Sequence, residues 1–208
     1  MFGLMRKPKL QGAIGQLGLS EWWIETFTDA EKDWMIDTYA PMGGALRSLV
    51  EGPPSGLVRG RFSFLSNAAA WFNKPAGKRC AVAFAAKAME AYDEQMPLMD
   101  RHFGLANQCG VFYRWREEVP GALEAAVSAC ELSISIHKEV ATEFMLDMGM
   151  VPAHACFRQL RIIEEKRGNY DRAIEICDIA SSAGWKDDWD GRKAKLLAKK
   201  ERALAKSR

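Results

Sequence analysis

The sequence predicts an all-α protein assembled from antiparallel helix hairpins, and three observations carry that reading. Apolar residues recur at spacings of three and four from Gly60 onward, the period of one helix face. Helix-start signals punctuate the chain: Thr28-Asp29-Ala30-Glu31 near the beginning, then Pro75, Pro97 and Pro120. Long runs of alternating apolar and polar residues, the strand pattern, do not occur.

In chain order, residues 1–19 are rich in Gly and Lys without a sustained period, and read as an arm. Ser20-Glu21-Trp22-Trp23-Ile24 follows as an aromatic cluster. Thr28 and Glu31 then fit a capping box, opening a helix that carries Trp34, Met35, Ile36 and Tyr39. It should stop before Pro41, because proline disfavours the α region for the residue ahead of it. Pro41-Met42-Gly43-Gly44 and residues 51–56 read as loops, and the second suggests a boundary, giving an N-terminal portion (1–60) and a helical domain (61–208). Beyond Gly60, Phe62, Leu65, Ala69 and Phe72 share one helix face. Pro75 opens a helix over 76–94, Pro97 another to about residue 118, and Pro120 sits in the first turn of the next. Trp22, Trp23, Trp34 and Tyr39 are expected to pack as a subcore, with an exposed contact surface as the alternative.

Residues 101–183 contain a weak self-similarity. With Ala173 as reference, Tyr170 to Ala180 forms a second helix after the turn Arg167-Gly168-Asn169, and Phe157 and Leu160 occupy first-helix contact points. Fifty-one residues earlier, Ala106, Cys109, Gly110 and Tyr113 match the first helix, while Ala122, Ala126 and Ala129 match the second. This pattern resembles the tetratricopeptide repeat, over about half the chain. Gly110 and Ala122 would let the paired helices approach closely. Arg161 stands at the small-residue point, Glu164 replaces the tyrosine, and the terminal proline is missing. The long offset requires an extra helical stretch over about 135–148. The resemblance implies a short superhelical array whose concave face binds a protein or peptide. Asn107, Val111, Arg114 and Trp115 of the first hairpin, with Arg158 and Ile162 of the second, would line that face, the arginines forking onto a partner's carboxylate.

Residues 190–206 read as a charged helix capping the array, or as a frayed tail. From Lys186 onward nine basic residues stand against four acidic ones, although the whole chain carries only +2. This makes a nucleic-acid-associated accessory role the alternative, weakened by the absence of aromatics among the lysines. The five cysteines (Cys80, Cys109, Cys130, Cys156, Cys177) form no CxxC pair, so core packing is expected rather than a metal or redox set. His154-Ala155-Cys156 places two ligand types on different faces of a helix, and His102 and His137 lack a carboxylate at helical spacing. Gly12-Ala13-Ile14-Gly15-Gln16-Leu17-Gly18 echoes a dinucleotide fingerprint without a preceding strand. No serine sits in a Gly-x-Ser-x-Gly elbow, and the adjacent acids Glu117-Glu118, Glu164-Glu165 and Asp187-Asp188 diverge on a helix. The expectation is therefore a non-enzymatic adaptor with no catalytic residues, cofactor or metal. It would bind a protein partner, including possible self-association. No apolar run reaches membrane-spanning length and residues 1–18 do not form a secretory signal, so a cytoplasmic location is expected.

Overall fold

The apolar stripes and caps produce helices and nothing else: the computed structural model describes residues 10–40, 47–53 and 59–206, and no strand occurs among them. The chain divides into two units, Met1–Asp93 and Glu94–Arg208. None of the helices among the described residues is long and apolar enough to cross a membrane.

The first unit holds α1 (Gly12–Gln16), α2 (Ser20–Thr26), α3 (Asp29–Thr38), α4 (Arg61–Phe72), a 3-10 turn (Pro75–Gly77) and α5 (Lys78–Glu90). The expected arm thus contains a helix. Its first amides donate to a neighbouring segment instead of to solvent: Gly12 N to Gly52 O (3.1 Å), Ala13 N to Ser48 O (3.1 Å) and Ile14 N to Leu49 O (2.9 Å). Helix α3 begins with the expected capping box, the Thr28 hydroxyl accepting from Glu31 N while the Glu31 carboxylate accepts from Thr28 N. Arg79 of α5 reaches the same carboxylate and also donates to Thr26 O. Its guanidinium holds the Glu31 carboxyl down at about 2. The loop expected at 41–44 lies outside the described residues, as does part of the second expected loop (54–56).

Helices α4 and α5 form a hairpin with Phe84 at its centre. The Phe84 ring lies 5.0 Å from Trp22, 5.6 Å from Phe27 and 5.4 Å from Phe72. Tyr39 packs against Phe64, Trp71 and Phe72, and burial pushes its hydroxyl up to about 12. Of the expected subcore, Trp23 and Tyr39 are buried and Trp22 and Trp34 half-buried. The faces of α4 and α5 complete the aromatic core that α2 and α3 begin, all within the unit Met1–Asp93.

The second unit comprises α6 (Leu98–Arg114), α7 (Ala122–Ser135), α8 (His137–Met148), α9 (Ala155–Lys166), α10 (Tyr170–Ser182) and α11 (Trp189–Lys206). The pairs α6–α7 and α9–α10 are hairpins, α7 lies against α9, α8 sits on α6 and α7, and α11 packs on α10. Helix α7 starts at Ala122 with Gly121 as its N-cap, so Pro120 lies just ahead of the first turn. Ala122, Ala126, Ala129, Ala173, Cys177 and Ala180 are buried, as a close hairpin requires. Gly110 behaves differently from the expectation: it is exposed, and a Cβ added there would meet nothing. The buried side of α6 carries Gly104, Leu105, Gln108, Cys109 and Phe112 instead. Glu164 explains one departure from the repeat pattern. It is buried and ties the α9–α10 turn, accepting from Asn169 Nδ2 at 2.7 Å and Arg167 Nη1 at 3.1 Å.

Candidate anion-binding site

Helix α6 packs on α7, α8 and α9 together, which covers the side expected to face a groove. Val111 and Trp115 are buried and offer a partner no surface, while Asn107 and Ile162 are half-buried. Arg114 is exposed and stacks over Trp115 at 5.2 Å. Arg158 is exposed and donates to Asp187 at 2.5 Å. The structure does not gather these six into one cleft.

A different cleft, of about 510 Å³, opens between α9 and α11. Arg192, Lys195, Lys199 and Arg202 recur along α11 at intervals of three and four and so share one face, with Leu196 buried beneath them. Arg161 and Glu165, one turn apart on α9, form the opposite wall. Five cationic side chains thus line a cleft that holds a single carboxylate. Burial works against ionising Glu165, but Lys199 and Arg161 outweigh it and hold that carboxyl below its ordinary range.

The fold sets these cations in place. Trp185 and Trp189 are buried, and the Trp189 indole N–H donates to Trp185 O at 2.6 Å, fixing the entry to α11. Asp187, just ahead of α11, accepts from Arg192 Nη2 at 2.9 Å and from Arg158. Other lysines of α11 are occupied elsewhere: Lys193 on Asp178 and Lys200 on Asp171. Arg161 is only 7% exposed and donates Nη1 to Glu165 at 2.6 Å. Its Nε–H and that of Arg192 are buried without an acceptor. A buried guanidinium with an unspent donor is costly, and an incoming carboxylate would satisfy it bidentately. The residues follow a legible stripe on α11, but burial of Arg161 was not legible, since the repeat pattern assigns that position to a small side chain.

A second cluster lies where α6, α7 and α9 meet. Cys109, Cys130 and Cys156 are buried, and their Sγ atoms all lie within 4.8 Å of one another. The Cys130 thiol donates to Cys109 Sγ at 3.2 Å. The neighbouring Cys109 and Cys130 thiols, with the Ser133 hydroxyl, hold the Cys156 thiol well below its ordinary value. Ser133, one turn beyond Cys130 on α7, is fully buried, and its hydroxyl interacts with the Cys156 thiol. All five cysteines are buried, but the sequence did not bring these three together. Nearby, His154 caps α9 by accepting from Phe157 N at 3.4 Å through Nδ1. That leaves the proton on Nε2, which has no acceptor and lies in a ring edge-on to Trp185 at 4.5 Å. Burial lowers the His154 imidazole to about 4 and also lowers that of His102, whose ring lies 4.9 Å from His154 and 6.0 Å from Trp185. Both are neutral at pH 7. No family model, no curated protein and no solved structure matches the chain.

Proposed function

We propose that the second unit is a non-enzymatic interaction module that takes an acidic segment of a protein partner into the cleft between α9 and α11. In this reading the α6–α7 and α9–α10 hairpins are tetratricopeptide-like, and α11 closes the array while supplying most of the charge. The observation that carries the proposal is Arg161. It is a buried guanidinium with one bonded nitrogen and one unpartnered Nε–H, set in a cleft with four more positive than negative side chains.

A peptide carboxylate suits this cleft better than a nucleic acid. No aromatic side chain lines it for base stacking. Lys193 and Lys200 are paired with acids of α10, so the helix presents a local cluster and not a continuous phosphate track. The binding role thereby shifts from Arg114 and Arg158 to Arg161, Arg192 and Arg202.

Fluorescence anisotropy with a labelled Glu/Asp-rich peptide tests the reading in the full chain. Arg202 is exposed, so Arg202→Glu leaves the core intact; it should weaken binding by about tenfold or more, the scale of one charge-assisted contact. Arg114→Glu should leave affinity unchanged. Equal binding by wild type and Arg202→Glu would remove the cleft from consideration. Tighter binding of a single-stranded oligonucleotide, with a steep salt slope, would replace the peptide reading by the nucleic-acid one.

A further inference from the structure

We propose that Cys109, Cys130 and Cys156 form a three-thiolate site for a thiophilic metal ion, zinc(II) being the ion that its geometry and charge fit. This goes beyond the peptide-binding reading and does not depend on it.

The geometry comes first. An ion bonded to sulfur at about 2.3 Å separates its sulfur ligands by roughly 3.8 Å in a tetrahedral arrangement and roughly 4.0 Å in a trigonal one. Cys109 and Cys130 lie at 3.2 Å, a little closer than those values, and every pair of Sγ atoms lies within 4.8 Å. Shifts of under about 1 Å per sulfur, available through χ1 adjustment, would close the site. The ligands also come from three different helices, α6, α7 and α9, so an ion there would cross-link both hairpins.

A fourth position is provided independently. Ser133 follows Cys130 by one helical turn and so points from the same face of α7. Its hydroxyl is completely buried, and the polar group it interacts with is the Cys156 thiol. A buried hydroxyl beside the Cys156 sulfur is what a tetrahedral ion with three thiolates needs at its remaining position, as a direct oxygen donor or through one bound water.

Charge selects the ion. Ala126 and Ala129 beside Cys130 along α7, and Phe157 and Leu160 beside Cys156 along α9, are all buried, and the His154 and His102 imidazoles are neutral at pH 7. Three thiolates without a cation would be prohibitive there. A divalent ion reduces the site to a single negative charge, whereas a monovalent one would leave two. Binding is a ligand exchange: zinc(II) gives up water, three S–H bonds break, three Zn–S bonds form and three protons leave to solvent. Because the sulfurs are sealed from solvent, loading accompanies folding.

The test uses the full chain, reduced, denatured, refolded with zinc(II) and freed of loose metal by a chelator. The expected result is one zinc retained per chain. X-ray absorption should show sulfur scatterers at about 2.3 Å, and cadmium(II) in place of zinc should give a sulfur-to-cadmium charge-transfer band. Cys130→Ala should abolish retention, and Cys177→Ala, a buried cysteine outside the cluster, should preserve it. Should Cys130→Ala fail to fold, the wild-type absorption spectrum alone still decides. No retained metal, or a first shell of oxygen and nitrogen only, overturns the proposal and leaves the three thiols as core packing. Retention undiminished in a folded Cys130→Ala protein overturns it equally.

Discussion

Replacing His154 by asparagine removes one titrating group while keeping an acceptor at the N-cap of α9, where asparagine is well suited. The imidazole is fully buried, and burial moves it from its ordinary 6.5 to about 4, with Cys156 opposing that shift and His102 and His137 reinforcing it. The sign follows directly. The unfolded chain binds the proton near pH 6.5 and the folded chain only near pH 4, so the folded state is penalised as pH falls through this window. At about 1.4 kcal/mol per pKa unit, the loss attributable to His154 is about 3 kcal/mol between pH 7 and pH 4. The smaller asparagine side chain leaves space beside Trp185 and lowers stability at every pH, so the informative quantity is the slope, not the level. Urea denaturation of both proteins at several pH values, followed by circular dichroism, gives that slope. Wild type should lose about 3 kcal/mol more than the variant between pH 7 and pH 4, with no difference in slope above about pH 7. Parallel curves through the window would refute the argument, and would mean that the imidazole is solvated or finds a partner when charged.

Other consequences follow from packing. Phe84→Ala should destabilise the first unit by about 3–5 kcal/mol, since it empties the centre of the aromatic core; a loss under about 1 kcal/mol in thermal or urea unfolding would contradict that placement. Gly110→Ala should stabilise the second unit by about 0.5–1 kcal/mol, because the position is mid-helix, exposed and open to a methyl group. A destabilised Gly110→Ala variant would restore the close helix approach suggested by the repeat pattern.

What the sequence made legible was local. The capping box at Thr28 and Glu31, the helix openings near Pro75 and Pro97, and the alanines of the two hairpins are read from spacings within a single turn or two. Features that depend on distant segments were hidden. The Gly/Pro-rich stretch at 51–56 looks like a boundary, yet Phe84 and Phe72 belong with Trp22 and Phe27 from the other side of it. Cys109, Cys130 and Cys156 meet only because α7 lies against both α6 and α9, which no sequence period announces. Val111 and Trp115 were expected on an open face, but α8 and α9 pack on α6 along with α7 and leave them buried. The basic stripe of α11 could be counted from the sequence. Its opposing wall could not, because a buried arginine at position 161 contradicts the pattern that located the hairpin.

The most direct measurement is an NMR titration that follows the arginine Nε–H signals of the full chain as an acidic peptide is added. The Nε–H groups of Arg161 and Arg192 have no acceptor in the free protein, so both should shift downfield together and saturate with the peptide, while Arg114 stays still. Saturable shifts confined to Arg114 and Arg158, or no change at Arg161 at saturating peptide, would contradict the assignment of the cleft.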